Sequence, residues 1–578
     1  MTQFTILKRI LTYSKAYTGY LIGGIISAFV GVGISLLIPI WVGAAIDHII
    51  GPDQVNFGSI GIILIQIGFA IGISAFFQWV MNYCMNKVTF KTVQDLRVQA
   101  FEKLGKVPLK YLDNRSQGNL INTIINDIEQ ISDGLLQGFM QLFTGVMTIV
   151  GTLFLMLSIN VTIALVVVFL TPFSILMAGF IAKRISSKFK EQSEIRGELG
   201  GYIKEMLSHQ KVVRAFSYEE RAIEDFEEIN WRLREVGRMA QFYSALTNPS
   251  TRFVNSLIYT IVGVFGALNV IRGHFSVGML SSFLTYANQY TKPFNEISGV
   301  ITELQAAFAS ARRVFEMIDA EVEPSDEHLK TDVTATGVVR FDQVAFSYRK
   351  EVPLIEDFTL SVEPGQTVAI VGPTGSGKST LINLLMRFYE VNSGAIYIDD
   401  EKITDMKRKV LREMFGMVLQ ETWLFKGTIG ENIAYGKPDA SEAEIQAAAK
   451  AAYAHNFIQR LPEGYETVIS EDGGNISQGE RQLLAIARVM LMHPPMLILD
   501  EATSNIDTLT EKRVQKAFSK LMEGKTSFIV AHRLSTIQGA DMILVLNEGR
   551  IVEKGNHEAL LKEGGFYAHL YNSQFAVT

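Results

Sequence analysis

Apolar residues in the first 300 positions form six runs, each long enough to cross the hydrocarbon core of a membrane, which needs about 20 residues. The predicted spans cover residues 19–46, 59–84, 135–157, 161–182, 252–271 and 277–300. The remainder has an ordinary soluble composition, although 48 % of the whole chain is hydrophobic and its mean hydropathy is +0.20. The pattern therefore predicts an all-α membrane domain over residues 1–318, followed by a soluble module.

Lysine and arginine positions predict how these spans are oriented. The long connections 85–134 and 183–250 are rich in basic residues, whereas residues 47–58 and 158–160 contain none and the last short loop has only Arg272. Short cytoplasmic loops carry the excess of basic residues in membrane proteins. We therefore expect a multi-pass membrane protein with both termini and both long connections in the cytoplasm.

The two long connections have the spacing of helices rather than of disordered loops. Apolar residues recur at intervals of three and four from Val88 to Lys106, and Pro108 marks a break. A helix prolonged some 20 residues beyond the bilayer reaches about 30 Å into the cytoplasm. The tips, near residues 109–117 and 213–220, could then contact the soluble module.

Several polar residues interrupt the predicted spans. They are Gln66, Gln78, Asn82, Gln137, Gln141, Asn255, Asn288, Gln289, Glu296 and Glu303. Such groups usually face a bundle interior or a cavity. Packing between helices is favoured over substrate contact for any one of them. The two glutamates are seven residues apart and share a helix face, which favours a functional role for them more than for the others.

Residues 319–337 are polar and acidic and predict a linker, and the domain that follows, 338–578, alternates strand-like and helical runs. The strand-like runs are VVRFDQVAF, TVAIVG, AIYID, MLILD, TSFIVA and MILVL. This alternation is typical of an α/β sheet domain.

The segment GPTGSGKST, residues 372–380, directly follows one of these strands and fits the phosphate-binding pattern GxxxxGK[ST]. Its glycines let backbone N–H groups surround a polyphosphate, and the next helix adds its positive end. Lys378 can reach the terminal phosphates, and the Ser379 hydroxyl can bind Mg²⁺. The segment predicts a site for a nucleoside triphosphate with Mg²⁺.

The run MLILDEATS, residues 496–504, ends a predicted strand in two carboxylates. Asp500 is placed to hold Mg²⁺ through water, and Glu501 to polarise a water that attacks the γ-phosphate. Alone, this pair of carboxylates is weak evidence for a site of ATP hydrolysis. With the phosphate-binding segment upstream, the evidence is strong.

Charge and cysteine content exclude other classes of function. The net charge of −6 and the pI near 6.0 leave no basic surface for nucleic acid. The single cysteine, Cys84, excludes an intrachain disulfide, and we interpret it as a small apolar residue of a helix.

Over essentially its full length the chain resembles an ATP-binding cassette (ABC) exporter half-transporter of the multidrug type. The family motifs occur in order: Tyr348 stands where the family stacks an aromatic ring on adenine, and Gln420 where a glutamine senses Mg²⁺ and water. Residues 504–507 match the dimer-contact loop, and His532 matches the histidine that contacts the γ-phosphate. The resemblance implies six membrane helices with long intracellular extensions, and a P-loop nucleotide-binding domain.

Together, these motifs predict catalytic, nucleotide-binding and metal-binding residues. The predicted catalytic residues are Glu501, His532 and Lys378. The predicted ATP-binding residues are Tyr348, Gly372, Thr374, Gly375, Ser376, Gly377, Lys378, Ser379, Thr380, Gln420, Ser477 and Gly479. The predicted Mg²⁺ ligands are Ser379, Gln420 and Asp500.

The chain departs from the family at the signature motif, where LSGGQ is replaced by residues 476–480, ISQGE. In the family this segment caps a helix that points at the γ-phosphate bound by the opposite subunit. Gln478 adds bulk there, and the Glu480 carboxylate should repel a phosphate. We expect Ser477 and Gly479 still to hold nucleotide across this surface, with poor hydrolysis.

The intact Glu501 and the altered signature together predict an asymmetric heterodimer. A different half-transporter would supply LSGGQ to the ATP of this chain and, by resemblance to such heterodimers, would lack the catalytic glutamate. The resemblance implies efflux of amphipathic or hydrophobic small molecules, such as drugs, across a bacterial-type plasma membrane. Membrane lipid and the small-molecule substrate are the other expected partners. A lipid or peptide exporter and an ATP-gated membrane regulator remain the alternatives.

Overall fold

The computed structural model describes residues 2–49, 55–349, 351–419, 422–470, 474–500, 507–531 and 537–574. The chain divides into two compact units. The first comprises Met1–Lys106 and Arg115–Glu321, and the second comprises Val107–Asn114 and Val322–Thr578. The short segment Val107–Asn114 therefore belongs to the second unit, together with the C-terminal part of the chain.

Helices build the first unit. They are α1 (Gln3–Ser14), α2 (Thr18–Ser35), α3 (Ile38–Asp47), α4 (Phe57–Leu104), then, after α5 (Leu109–Asp113) of the second unit, α6 (Gln117–Asn122), α7 (Ile128–Ile159), α8 (Val161–Ser208), α9 (Gln210–Ala215), α10 (Glu219–Ile271) and α11 (Val277–Ile318). A 3₁₀ turn, Lys15–Tyr17, joins α1 to α2, and a π-helical turn, Thr123–Asp127, joins α6 to α7.

The four longest helices confirm the predicted helical extensions. α4, α8, α10 and α11 contain 48, 48, 53 and 42 residues, more than twice the length that a membrane span needs. α4 ends at Leu104, before Pro108, as the proline predicts. The short helices α5 and α9 lie close to the two predicted tips.

Among the described residues, four helical stretches are long and apolar enough to cross a membrane. They are Gln3–Asp47, Phe57–Leu104, Gln117–Ile159 and Arg252–Ile271, and Val161–Phe173 is a shorter apolar helix. These stretches coincide with five of the six predicted spans. The sixth, residues 277–300, lies in the continuous helix α11, which is not among the four, so the six-span assignment stays a prediction.

Helices of the first unit pack in pairs, α7 along α11, α8 along α10 and α2 along α4. α3 and α11 approach so closely that a Cβ atom on Gly278 would lie 1.9 Å from the carbonyl oxygen of Gly43. The Asp47 carboxylate accepts hydrogen bonds from the backbone N–H of Gly278 at 2.7 Å and from Ser276 Oγ at 2.6 Å. Asp47 therefore caps the start of α11 and holds it against α3.

Strands and short helices build the second unit. The strands are β1 (Val339–Phe346), β2 (Ile355–Val362), β3 (Thr367–Val371), β4 (Ser393–Ile398), β5 (Glu401–Lys402), β6 (Phe415–Val418), β7 (Gly427–Thr428), β8 (Val468–Ile469), β9 (Met496–Asp500), β10 (Thr526–Val530), β11 (Met542–Asn547) and β12 (Arg550–Gly555). The helices are α12 (Lys378–Leu385), α13 (Arg408–Glu413), α14 (Ile429–Ala434), α15 (Glu442–Ala451), α16 (His455–Ile458), α17 (Gln478–Met492), α18 (Thr508–Met522), α19 (His557–Glu563) and α20 (Phe566–Gln574).

Two main sheets follow from these strands. An antiparallel sheet has the order β2-β1-β4-β5, and a six-stranded sheet has the order β12-β11-β3-β10-β9-β6, in which β11, β3, β10, β9 and β6 run parallel. The six predicted strand-like runs correspond to β1, β3, β4, β9, β10 and β11. Of the strands in these two sheets, sequence patterning missed β2, β5, β6 and the edge strand β12. Because the five parallel strands end at one edge, the segments that follow them start close together.

Arg408 holds the polar segment that follows α11 in place within the second unit. Arg408 Nη1 donates to the carbonyl oxygen of Pro324 at 2.9 Å, and the Arg408 backbone N–H donates to Asp326 Oδ2 at 2.8 Å. Glu390 Oε1 accepts from Arg408 Nη2 at 3.2 Å. These bonds anchor the beginning of the segment beside α13.

Candidate nucleotide-binding site

The predicted phosphate-binding segment forms a sharp turn between the buried strand β3 and helix α12. Gly372, Gly375 and Gly377 have φ angles of +155°, +84° and +101°, which residues with a side chain rarely adopt. A Cβ atom on Gly372 would lie 2.2 Å from the carbonyl oxygen of Leu546. Local glycine conformations thus create a concave turn whose N–H groups can surround phosphate oxygens.

Lys378 is the first residue of α12 and folds back over this turn. Its Nζ donates to the carbonyl oxygens of Gly372 at 2.8 Å and of Pro373 at 2.9 Å. Burial lowers the pKa of Lys378, and the nearby Asp500 carboxylate opposes that shift. A polyphosphate bound in the turn would also favour the charged ammonium of Lys378.

Hydroxyl groups of the same segment line the turn. Ser376 is 1 % exposed, and its Oγ has no hydrogen-bond partner among the described residues. Thr374 and Ser379 are exposed, whereas Thr380 is buried. A buried hydroxyl without a partner is costly in a folded protein, and a phosphate oxygen would satisfy it.

Tyr348, predicted to stack on adenine, follows β1 and is 39 % exposed. Its ring meets the Phe346 and Tyr389 rings edge to face, with centroids 4.9 and 5.0 Å away. Tyr348 Oη lies 3.3 Å from Thr380 Oγ1 and accepts from Asn383 Nδ2 at 3.2 Å. The structure therefore joins the predicted adenine contact to the phosphate-binding helix.

The parallel strands bring Asp500 to the same edge as the turn. Asp500 ends β9 and pairs in register with Val530 of β10, the strand that lies beside β3. Gln420 and His532 come two residues after β6 and β10, and Glu501 directly follows β9. These three residues, and residues 504–506 of the predicted dimer-contact loop, lie outside the described residues.

The donor set near the turn fits Mg²⁺. Ser379 offers a hydroxyl and Asp500 a carboxylate, which are the hard oxygen ligands that Mg²⁺ prefers beside substrate phosphates. Burial lowers the pKa of Lys378 and the Asp500 carboxylate raises it, so the predicted metal ligand and the predicted phosphate-binding lysine interact electrostatically.

The altered signature forms the start of helix α17. Ser477 is its N-cap, and Ser477 Oγ accepts from the Glu480 backbone N–H at 3.3 Å. Glu480 Oε2 in turn accepts from the Ser477 backbone N–H at 2.9 Å and from Ser477 Oγ at 2.7 Å. This reciprocal capping box occupies the Ser477 hydroxyl within its own chain. Gly479 is buried, and Gln478 is exposed.

Asp507, the described end of the predicted dimer-contact loop, caps α18. Its Oδ1 accepts from the backbone N–H groups of Thr510 at 3.0 Å and Leu509 at 3.1 Å. The Thr510 hydrogen bonds lower the pKa of Asp507. A structural role therefore accounts for this carboxylate.

Sequence reasoning missed Tyr389 and Asn383, which support Tyr348. Asn383 lies one helical turn after Ser379 on α12, and a search of that helix face could have found it. Tyr389 follows α12 in the run RFYE, and no local pattern distinguishes it from a core aromatic residue.

Family models match both parts of the chain. The model described as ABC transporter transmembrane region matches residues 21–294, and the model described as ABC transporter matches residues 355–504. A fatty acid ABC transporter ATP-binding/permease protein of Mycobacterium tuberculosis is 44 % identical, over 86 % of this chain and 78 % of the relative. A putative multidrug export ATP-binding/permease protein of Bacillus subtilis is 35 % identical, over 98 % of this chain and 99 % of the relative.

A solved structure supports the same assignment. A bacterial Atm1-family ABC exporter with ATP bound superposes with a TM-score of 0.76 and 27 % identity, covering 96 % of this chain and 98 % of that chain. In this chain, as in that fold, a helical membrane domain precedes an α/β nucleotide-binding domain. This chain therefore belongs to the ABC transporters, as an exporter subunit whose ATPase domain is coupled to transport through a membrane.

Proposed function

We propose that this chain is one half of an asymmetric heterodimer that exports amphipathic or hydrophobic small molecules by alternating access. The observation that supports the asymmetry is the carboxylate of Glu480 at the start of α17, where it accepts a hydrogen bond from the Ser477 hydroxyl. A signature serine donates its hydroxyl to the γ-phosphate of the opposite subunit in this family, as the resemblance implies. A glutamine at this position could accept the same hydrogen bond without a charge. Glu480 instead places a negative charge at the start of the helix, where it should repel that phosphate.

The productive ATP site is then the one built on this chain's own phosphate-binding turn. Lys378 and the N–H groups of the turn hold the phosphates, Tyr348 stacks on adenine, and Glu501 removes a proton from the attacking water. Ser379, Asp500 and Gln420 would hold Mg²⁺, which neutralises charge on the phosphate oxygens. His532 contacts the γ-phosphate, and the partner's LSGGQ completes the site.

The membrane part is proposed to cross the bilayer six times, with residues 1–318 as the membrane domain, 319–337 as the linker and 338–578 as the cassette. Both termini and the extensions of the long helices lie in the cytoplasm. ATP closes two cassettes, and the extended helices convert closure into an outward-facing cavity. Hydrolysis at the productive site resets the cycle.

The assembly is tested by purifying the chain alone and together with half-transporters that carry LSGGQ. We expect strong ATPase activity only from the mixed complex, and E501Q in this chain should abolish it while ATP still binds. Strong Glu501-dependent ATPase activity from the chain alone would overturn the heterodimer.

A lipid exporter is the second candidate, because a mycobacterial relative is named a fatty acid transporter. ATP-dependent accumulation of a hydrophobic dye or a labelled fatty acid in inside-out vesicles separates the two cargoes. Accumulation of either one excludes an ATP-gated regulator that does not pump.

A further inference from the structure

Helix α11 carries a polar face within the predicted sixth span. Ser281, Thr285, Asn288 and Lys292 follow at intervals of four, three and four residues, which places them on one side of the helix. Thr285, Asn288 and Lys292 are exposed. The opposite side, with Phe283 and Tyr286, is buried in the first unit.

Helix α10 faces this polar side and completes a cavity of about 420 Å³. Asn255 and Tyr259 contribute from α10 at a spacing of one helical turn, and α11 contributes Leu284 and Thr291 besides its polar face and Gln289. The volume lies within the range of small-molecule sites, which are about 300–1,000 Å³.

This polar face of α11 is unsuited to contact with lipid. Amide and ammonium groups in a predicted span are costly in hydrocarbon and face a water-filled cavity or another helix. Scattered packing contacts would not explain why residues of one face of α11 and of α10 line the same space.

The lining of the cavity has a definite hydrogen-bonding character. Lys292 is the only charged residue among the described residues that line it, and an ammonium donates three hydrogen bonds and accepts none. Asn255 and Asn288 add amide N–H groups. Gln289 Oε1 is buried and accepts no hydrogen bond, and Pro293 has no N–H for the Gln289 carbonyl oxygen.

We propose that this cavity binds the headgroup of a carboxylate-bearing amphiphile. The carboxylate accepts from Lys292 Nζ and from the Asn255 and Asn288 amides, since a carboxylate is an acceptor only. Leu284 and the Tyr259 ring provide apolar contacts for the start of the acyl chain. Gln289 accepts from a hydration water of the headgroup. This proposal narrows the class of molecule that the exporter would carry. Its transport step rests on the proposed exporter function.

Binding of a dansyl-labelled long-chain fatty acid, and of its methyl ester, to the full chain in nanodiscs tests the site. We expect the wild-type chain to bind the acid more tightly than the ester, and K292M to weaken acid binding by about tenfold while ester binding stays unchanged. K292R should restore most of the affinity for the acid. R272M is the matched control, because it removes an exposed cation at the end of α10. It shows the effect of losing one positive charge, and of the labelled acid partitioning into lipid, and it should bind acid and ester as the wild-type chain does.

Equal affinity of the wild-type chain for acid and ester would overturn the proposal. Unchanged acid binding in K292M would also overturn it, because Lys292 would then not bind the carboxylate. Size-exclusion profiles of K292M and K292R show whether the variants fold. ATP-driven uptake of a neutral dye in the complex, with no acid binding, would reject this site and keep the exporter. Acid binding that needs Lys292, without ATP-driven uptake, would reject the exporter and keep the site.

Discussion

Tyr389 donates a hydrogen bond from its phenol to the Asp113 carboxylate, so the residue that supports the predicted adenine contact also holds helix α5. The Tyr389 ring meets the Tyr348 ring at 5.0 Å with nearly perpendicular planes. Burial raises the pKa of Tyr389, and the Asp113 carboxylate raises it further, so the phenol stays a donor. Two contacts thus connect the predicted adenine position to α5, which follows α4 in the chain.

Removing this hydrogen bond should impair coupling more than ATP binding. Y389F keeps the ring against Tyr348 and loses only the donor. A hydrogen bond to a charged group contributes about 1.5–3 kcal/mol, so we expect substrate-stimulated ATPase activity to fall by about tenfold in the complex. Affinity for a fluorescent ATP analogue should change by less than about twofold, since the ring stays in place.

Asp113 offers the matched controls for Y389F. D113N keeps an acceptor oxygen and should retain most of the stimulation, whereas D113A should resemble Y389F. The double variant Y389F/D113A should be no worse than either single variant, because both remove the same bond. Additive losses would show that the two residues act separately.

Two glycines of the phosphate-binding turn should respond differently to alanine. In G372A the new Cβ atom would lie 2.2 Å from the Leu546 carbonyl oxygen, and backbone cannot move away cheaply. In G375A the space is open within 4 Å, and only the positive φ is strained, at about 1–2 kcal/mol. We expect G372A to abolish binding of a fluorescent ATP analogue and G375A to weaken it by roughly tenfold. Equal losses would contradict the packing argument.

Neutralising Glu480 should raise the ATPase activity of the chain purified alone. E480Q can keep the capping box, since glutamine accepts the same bonds, and it removes the charge that repels the opposite phosphate. We expect an increase of about tenfold, measured as phosphate release at saturating ATP. E480A also removes the charge but breaks the cap, at about 1 kcal/mol, and should gain less. An E480Q chain with wild-type activity would argue that Gln478 alone impairs the signature.

The ion pair between Asp127 and Arg313 should stabilise the first unit. Arg313 donates to the carboxylate through Nε at 2.8 Å and Nη2 at 2.5 Å, and the Asp127 side chain is only 5 % exposed. R313M would leave the Asp127 carboxylate with the hydrogen bond from Ser310, so we expect a loss of about 1–3 kcal/mol and a lower midpoint in thermal unfolding. K8M, which removes an exposed cation from α1, should leave the midpoint unchanged.

Local sequence predicted the features that depend on neighbouring residues. The glycines at 372, 375 and 377 require a turn with positive φ angles, and six apolar runs form strands of an α/β domain. The extended helices were predictable because an uninterrupted three- and four-residue spacing needs no distant partner.

Other features depended on side chains that are far apart in the sequence. The sequence predicts that the Glu480 carboxylate repels a phosphate. Only the structure shows that this carboxylate also accepts hydrogen bonds from Ser477, in a capping box that satisfies two N–H groups at the helix start. Strand β12 escaped detection because exposed and half-buried residues alternate at a sheet edge, without a hydrophobic run.

The sequence by itself determined that this protein binds a nucleoside triphosphate beside a membrane domain, because contiguous residues build the phosphate-binding turn and the apolar helices. Only the tertiary structure decided that Tyr389 joins Tyr348 to Asp113, and that Lys292 and Asn255 line one cavity. Those contacts join residues separated by other helices and strands, and packing rather than local backbone preference brings them together.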